Sequence, residues 1–292
     1  MKTGFIGIIG RPNVGKSTLL NRILGEKIAI TTEKPQTTRN IIRGIYTTEE
    51  SQMIFIDTPG IHKPKSKLGN FMTEAAIGTF REVDVILFLV DGPMDKGPGD
   101  RYILQMLKDI PTPKLLLINK IDKMEPEEFK TTYDQYGELK VFDGIFGISA
   151  REGKNVDQVL KHLETFLEEG PMYFPPDMVT DHPERFIVSE IIREKLLLYL
   201  EDEVPHGVAV EIESYKEEPG VTEIGAVIYC EKKSHKGIII GKEGKKLKGI
   251  GKSARLEIES LLGTKVFLRL WVKVKENWRD SDFALSNFGY KE

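Results

Sequence analysis

The chain has 292 residues, 40% of them hydrophobic, and a single cysteine, Cys230. That length suits two domains with buried cores, and one thiol excludes both an intramolecular disulfide and a cysteine-rich metal site. The formal net charge of -3 is uneven, because residues 232–275 hold 13 Lys and Arg against 3 Asp and Glu, a bias that points the C-terminal part toward an anionic partner.

The first apolar stretch is too short for a signal peptide, and the longest apolar run, 85–90, is far below a membrane span. A cytoplasmic protein is expected. Residues 5–9 read as a buried strand, followed at once by Gly10-Arg11-Pro12-Asn13-Val14-Gly15-Lys16-Ser17 and then Thr18, with Leu19, Leu20, Ile23 and Leu24 at helical spacing. In this GxxxxGK[ST] pattern the glycines let backbone N–H groups turn inward around phosphates, and the lysine and hydroxyl complete the cradle. The helix that follows aims its orphan N–H groups and positive dipole end at the same point. A nucleotide is therefore expected.

Apolar runs at 53–56, 85–90 and 115–118, and a strand-like stretch at 144–148, alternate with helical patterns, the last over 156–167. This predicts an α/β domain over residues 1–170, a mainly parallel sheet with helices on both faces and ligands at the C-terminal strand ends. Asp57-Thr58-Pro59-Gly60 closes the second apolar run, where a carboxylate can hold a magnesium-bound water while the Gly60 N–H meets a terminal phosphate.

Asn119-Lys120-Ile121-Asp122 closes the fourth. It resembles the base-reading NKxD element of the GTPase superfamily. The resemblance implies that Asp122 accepts from the guanine N1-H and exocyclic amine, that Lys120 lies over the base, and that Asn119 ties this loop to the phosphate loop. Adenine lacks that donor pair, so the nucleotide expected is GTP or GDP with Mg2+. Ser149-Ala150-Arg151 resembles the superfamily's fifth element, with the Ala150 N–H toward guanine O6. Residues 34–39, Lys-Pro-Gln-Thr-Thr-Arg, resemble a switch I segment, with Thr38 chosen over Thr37 to reach magnesium and the terminal phosphate. Ile61 stands where Ras-like proteins carry a water-orienting glutamine, so slow hydrolysis is expected. Asn13 resembles the asparagine of potassium-stimulated relatives, which adds K+ as a candidate cofactor.

Prolines and glycines interrupt residues 171–183, the expected linker. Residues 184–276 then read α-β-β-α-α-β, with Ile238-Ile239-Ile240-Gly241-Lys242-Glu243-Gly244 between two helices. This resembles the GxxG loop of an α+β KH domain of type II topology, where glycines let the backbone approach single-stranded RNA. Lys236, Gly241, Lys242, Glu243, Gly244, Lys245 and Lys246 are its candidate RNA contacts, Glu243 being an unusual negative charge there. Residues 277–292 read as a tail. Trp271 and Trp278 could stack bases, though Trp271 is expected to be partly core. His62, His162, His182, His206 and His235 lack ligand spacing, and Cys230 reads as a small apolar filler in a strand.

Together, GRPNVGKS, PQTTR, DTPG, NKID, SAREG and a GKEG-bearing KH domain closely resemble the bacterial Era family of GTPases. The resemblance implies a monomeric GTP/GDP switch acting in small ribosomal subunit assembly, with the KH domain on the 3′ end of the small-subunit ribosomal RNA. It also implies peripheral association with the inner membrane. In it Lys16, Thr38 and Gly60 serve catalysis, and Ser17, Thr38 and, through water, Asp57 hold magnesium. The competing readings are a P-loop kinase for a small acceptor, which leaves NKID unexplained, an RNA-binding protein whose nucleotide domain is only structural, and a basic face that meets anionic membrane.

Overall fold

In the computed structural model, which describes residues 1–61, 64, 66–94 and 98–290, the chain forms two compact units. They divide after residue 181, with 66–68 grouped with the second. In the first, β1 (Lys2–Gly10), β3 (Ser51–Asp57), β4 (Val85–Val90), β5 (Lys114–Ile118) and β6 (Gly144–Gly147) run parallel. The strand order is β2-β3-β1-β4-β5-β6, β2 (Ile42–Thr47) being antiparallel to β3. β4 is VILFLV and every residue in it is buried, as a strand covered on both faces demands.

Register positions the site. Asp57 pairs with Ile8, Gly10 with Leu89, and Ile118 with both Val90 and Gly147. The phosphate loop, DTPG, NKID and the loop after β6 therefore leave the sheet side by side. Ile9, Phe88 and Ile118 share a cluster with Ala76 of α2 (Lys67–Thr79), Ile103 and Leu107 of α3 (Pro98–Leu107) and Tyr136 of α4 (Pro126–Gly137). Truncating a wholly buried aromatic such as Phe88 to alanine would remove about 3–5 kcal/mol. α1 (Lys16–Leu24) packs on β2 at Gly44, where a Cβ would lie 2.6 Å from Leu20.

Two features depart from the sequence reading. The helix expected over 156–167 is α5 (Val156–Leu163); the Thr165 and Phe166 N–H groups bond carbonyls three residues back, a tightening that ends it and lets β7 (Glu168–Glu169) pair antiparallel with β1. The segment expected as a linker lies along the first unit up to residue 181. Ile45 N donates to Val179 O at 2.9 Å, Thr180 Oγ1 to Arg43 O at 2.7 Å, and Arg43 pairs with Asp181. The buried Gln52 amide accepts from the N–H groups of Tyr173 and Phe174 and donates to Phe174 O. An edge strand has backbone groups to satisfy, and a buried amide needs partners; this segment supplies both.

The second unit is α6 (Glu184–Tyr199), β8 (Ala209–Glu218), β9 (Val221–Cys230), α7 (Lys233–Ile240), α8 (Lys245–Leu262) and β10 (Lys265–Val274), the α-β-β-α-α-β order of a type II KH domain. Its sheet is ordered β10-β9-β8, β10 parallel and β8 antiparallel to β9. Cys230 is buried at the end of β9.

The expected tail is instead packed on this domain as far as residue 290. Trp278 is wholly buried, its Nε1 donating to Gly207 O at 2.9 Å. Arg279 pairs with Glu231, and Phe288, just after α9 (Asp282–Asn287), meets Tyr229. Trp278 is thus a core residue and cannot stack a base, whereas Trp271, expected to be partly core, is 46% exposed. His62 lies outside the described residues. Among the described residues no group of three or more His, Cys, Asp and Glu could hold a metal ion, and no helix is long and apolar enough to cross a membrane.

Candidate nucleotide site and RNA groove

The phosphate loop owes its shape to three positive φ angles, at Gly10 (154°), Asn13 (66°) and Gly15 (104°). At Gly15 a Cβ would also stand 2.2 Å from Asn119 Nδ2, so only glycine fits. Gly15 is the N-cap of α1 and no side chain caps it; by position the N–H groups of Lys16, Ser17 and Thr18 have no intrahelical acceptor. That leaves a helix N-terminus open to an anion.

Lys16 and Asp57 are sealed into this end. Lys16 Nζ donates to the carbonyls of Gly10 and Arg11 at 3.3 and 3.0 Å, and burial, only partly offset by the Asp57 charge, pulls its pKa down to about 8. Burial pushes Asp57 up to about 6, against the opposing effects of Lys16 and a hydrogen bond from Ser17. Asp57 Oδ2 accepts from Ser17 Oγ at 2.6 Å, Ser17 Oγ lies 2.8 Å from Thr38 Oγ1, and the buried Asp57 Oδ1 takes no hydrogen bond from any of the described residues. The Thr37 hydroxyl turns elsewhere, to Lys34 O and Thr32. Three hard oxygen donors with an unsatisfied carboxylate oxygen suit Mg2+, which keeps water and phosphate ligands besides a few protein oxygens. A phosphate chain suits the buried ammonium beside them.

DTPG closes on the phosphate loop: a Cβ on Gly60 would lie 2.6 Å from Pro12 N, and Ile61 N donates to Gly10 O at 3.2 Å. The Ile61 side chain is wholly buried in the core cluster. The position that could carry a water-orienting group is therefore a packing position here.

Asn119 ties three loops together. Its Nδ2 donates to Val14 O at 2.7 Å and its Oδ1 accepts from Ala150 N at 2.9 Å. The second bond departs from the expectation that the Ala150 N–H faces guanine O6, since that N–H is engaged within the protein. Lys120 Nζ donates to Asn13 O and pairs with Asp91 at 2.8 Å, so its ammonium is turned to the phosphate loop. Asp122 is exposed, and a hydrogen bond from Ser149 first, with the charges of Lys123 and Arg151 adding to it, holds its carboxyl below the usual range. It is ionised and ready to accept. A cleft of about 300 Å³ joins Gly15, Thr18, Asn119, Lys120, Asp122 and Ala150.

The same cleft shows what sequence reasoning missed. Thr31 and Glu33 line it, Glu33 O accepts from Asn13 Nδ2 at 2.5 Å, and the Asn21 amide bonds the backbone of Ile28 and Ala29. Arg11 joins Asp91 at 3.0 Å and the buried Asp100 at 2.7 Å. Arg11 lies inside the phosphate-loop motif at a position the pattern leaves open, and the others follow no motif; a polar residue on the inner side of a loop has no period to betray it.

In the second unit Gly241 (φ 72°), Glu243 (φ 53°) and Gly244 (φ 72°) bend the chain between α7 and α8. A Cβ on Gly241 would lie 2.7 Å from Lys246 Cβ. Glu243, the unexpected negative charge, pairs with Lys245 at 3.0 Å, both exposed; Lys242 is exposed and Lys236 half-buried. From Gly244 a groove of about 520 Å³ runs between α8 and β10, lined by Leu247, Lys248, Gly251, Lys252, Arg255, Leu268 and Leu270. Small residues and cations recur at three- and four-residue spacing on this face of α8, the one signal that could have extended the sequence prediction beyond Lys246.

Fold and site define a P-loop GTPase domain followed by a KH domain. Family models agree: a 50S ribosome-binding GTPase model matches residues 5–120 and a KH domain model matches residues 203–279. GTPase Era of Alkaliphilus metalliredigens is 59% identical over 292 residues, covering 99% of each chain, and that of Clostridioides difficile is 56% identical, covering 100% of this chain and 99% of its own. A crystal structure of Era in complex with MgGDPNP and nucleotides 1506–1542 of 16S ribosomal RNA is 41% identical, covers 100% of both chains and superposes with a TM-score of 0.95. An Aquifex aeolicus Era variant bound to GDP and AlF4− is 42% identical with a TM-score of 0.94. The chain belongs to the GTPase Era family.

Proposed function

We propose that this protein is a GTP-hydrolysing switch whose KH domain binds the single-stranded 3′ end of small-subunit ribosomal RNA and which assists assembly of that subunit. The observation that carries the reading is a phosphate loop that holds the buried Lys16 ammonium beside the Asp57 carboxylate and opens, at Gly15 and Thr18, into a cleft lined by an ionised acceptor, Asp122. A guanosine triphosphate with magnesium answers both. The full-length likeness to an Era solved with MgGDPNP and 16S ribosomal RNA supports the same reading for the groove.

In this reading the backbone of residues 10–18 cradles the phosphates and Lys16 neutralises them. Ser17 and Thr38 would hold magnesium and Asp57 would hold it through water; when bound, the ion would supply charge neutralisation on the phosphate oxygens. Gly60 donates its N–H to the terminal phosphate, Asp122 selects guanine, Asn119 holds the base loop in place, and Ser149 orients Asp122. Catalysis is positioning and charge stabilisation without a protein nucleophile. With Ile61 in the core, no side chain at that position orients the attacking water, so hydrolysis by the isolated protein is slow.

Asn13 beside the phosphates is the candidate potassium contact; equal turnover in sodium and potassium buffers would remove it. The reading also includes a cytoplasmic location and peripheral contact with anionic inner membrane, supported by the basic residues of 232–275.

Multiple-turnover phosphate release from GTP tests the enzyme. Wild type should turn over GTP with Mg2+, and Lys16→Ala should lose GTP binding; phosphate release equal to a buffer blank would leave only a structural nucleotide domain.

A further inference from the structure

In the sheet of the GTPase domain β4 lies between β1 and β5. The residue that follows β4 therefore stands between the strand that opens into the phosphate loop and the strand that opens into the base loop. That residue is Asp91. On one side Arg11 Nη2 pairs with Asp91 Oδ1 at 3.0 Å, and on the other Lys120 Nζ pairs with Asp91 Oδ2 at 2.8 Å. Each oxygen of one carboxylate thus takes one cation, the first from GRPNVGKS and the second from NKID.

Both cations are themselves held. Arg11 Nε pairs with the wholly buried Asp100 of α3 at 2.7 Å, and a Cβ on the neighbouring Gly99 would stand 2.7 Å from Arg11 Cγ, so the start of α3 closes over the Arg11 stem. Arg11 O accepts from Lys16 Nζ, which places the residue that Asp91 grips directly against the phosphate-binding ammonium. Lys120 Nζ also donates to Asn13 O at 2.7 Å. Lys120 lines the nucleotide cleft, while Asp91 and Arg11 are not among the described residues that line it. An effect of Asp91 on a nucleotide must then pass through a neighbour.

An ion pair in open water contributes little, because salt and side-chain entropy oppose it. The Asp91 and Arg11 side chains are only 16% and 17% exposed, and a shielded carboxylate bonded on both oxygens holds its partners more firmly. The tie is distinct from that of Asn119, which joins the same two loops by buried hydrogen bonds to Val14 O and Ala150 N. Asp91 joins them by charge, through the side chains of Arg11 and Lys120.

We propose that Asp91 is a positioning residue for nucleotide retention: it fixes the Lys120 side chain against the phosphate loop, so that the base end and the phosphate end of the site hold a guanine nucleotide as one body. The inference deepens the GTP reading of the cleft and rests on it. Because the link runs in series from Arg11 through Asp91 to Lys120, breaking it at two joints costs no more than breaking it at one.

The test follows release of a fluorescent GDP analogue, N-methylanthraniloyl-GDP with Mg2+, from the full chain into excess GDP. Asp91→Asn fills the same space but sets an amide donor against one of the two cations. It should release the analogue about tenfold faster, within the range of coupling in one ion-pair network, and raise KM for GTP while kcat changes by less than about twofold. Lys120→Met keeps an unbranched apolar stem at a partly exposed position and should release at least as fast as Asp91→Asn. Adding Asp91→Asn to Lys120→Met should then accelerate release by about twofold or less. Unchanged release from Asp91→Asn would overturn the proposal, and so would slower release from Lys120→Met than from Asp91→Asn. Equal acceleration by Asp91→Asn in the two backgrounds would overturn it as well, since a residue that only supports the fold acts regardless of Lys120. A wild-type protein that does not retain the analogue would instead remove the nucleotide reading itself.

Discussion

Replacing Asn119 by alanine should unfasten the nucleotide site before any nucleotide is present. Both of its hydrogen bonds are buried and both partners are backbone groups, Val14 O at 2.7 Å and Ala150 N at 2.9 Å. Truncation leaves each without a partner, at about 1–3 kcal/mol apiece, so the base loop should loosen from the phosphate loop by about 2–6 kcal/mol. Amide hydrogen exchange at Ala150, measured without nucleotide, reads this directly; 2 kcal/mol corresponds to an acceleration of about thirtyfold. Asn119→Asp keeps an acceptor for the Ala150 N–H but loses the donor to Val14 O, so Ala150 should stay protected while GDP dissociates faster. Unchanged exchange at Ala150 in Asn119→Ala would refute the argument, because it would show that the N–H does not depend on that side chain.

Three further outcomes follow from the same geometry. Asp122→Asn should lower GTP affinity about a hundredfold or more and raise affinity for xanthosine nucleotides, measured by competition binding; retained GTP preference would sink the base assignment. Ile61→Gln buries an amide in the core cluster and should destabilise the GTPase domain by about 3 kcal/mol without raising turnover per folded molecule, as thermal unfolding and phosphate release would report. Because burial raises Asp57 to about 6, the folded nucleotide- and magnesium-free protein retains a proton that the unfolded chain gives up near pH 4. Its stability should therefore fall as pH rises from about 4 to 6, by about 3 kcal/mol from this group; Asp57→Asn should flatten that part of the profile, and an unchanged slope would contradict the burial argument.

Elements with a strong period were legible in the sequence. β4 and β5 are uninterrupted apolar runs, α1 has a helical stripe after a glycine, and the KH order follows from alternating patterns. What escaped was structure set by distant partners. β2 is short and mixed, IRGIYT, and is a strand because β3 pairs with it. Residues 171–181 look like a linker because prolines break them, yet Gln52 and the edge of β2 give their backbone a place to bond. Trp278 sits outside any periodic run, so nothing in the sequence distinguishes a core anchor from an exposed ring. At the candidate site, Lys16, Ser17, Thr38, Asp57, Asn119 and Asp122 could be singled out from the sequence because each motif carries its own chemistry. Arg11, Asp91 and Asp100 could not, because an ion-pair chain across three elements leaves no local pattern.

The central claim, that the nucleotide governs hold on RNA, is tested most directly by measuring affinity for the 3′-end RNA in protein loaded with Mg·GDPNP and with Mg·GDP. The account predicts affinities that differ between the two states by about fivefold or more, the usual range of allosteric coupling, and by reciprocity an equal RNA-induced change in the affinity for GDPNP relative to GDP. Identical RNA affinities in the two states would contradict it.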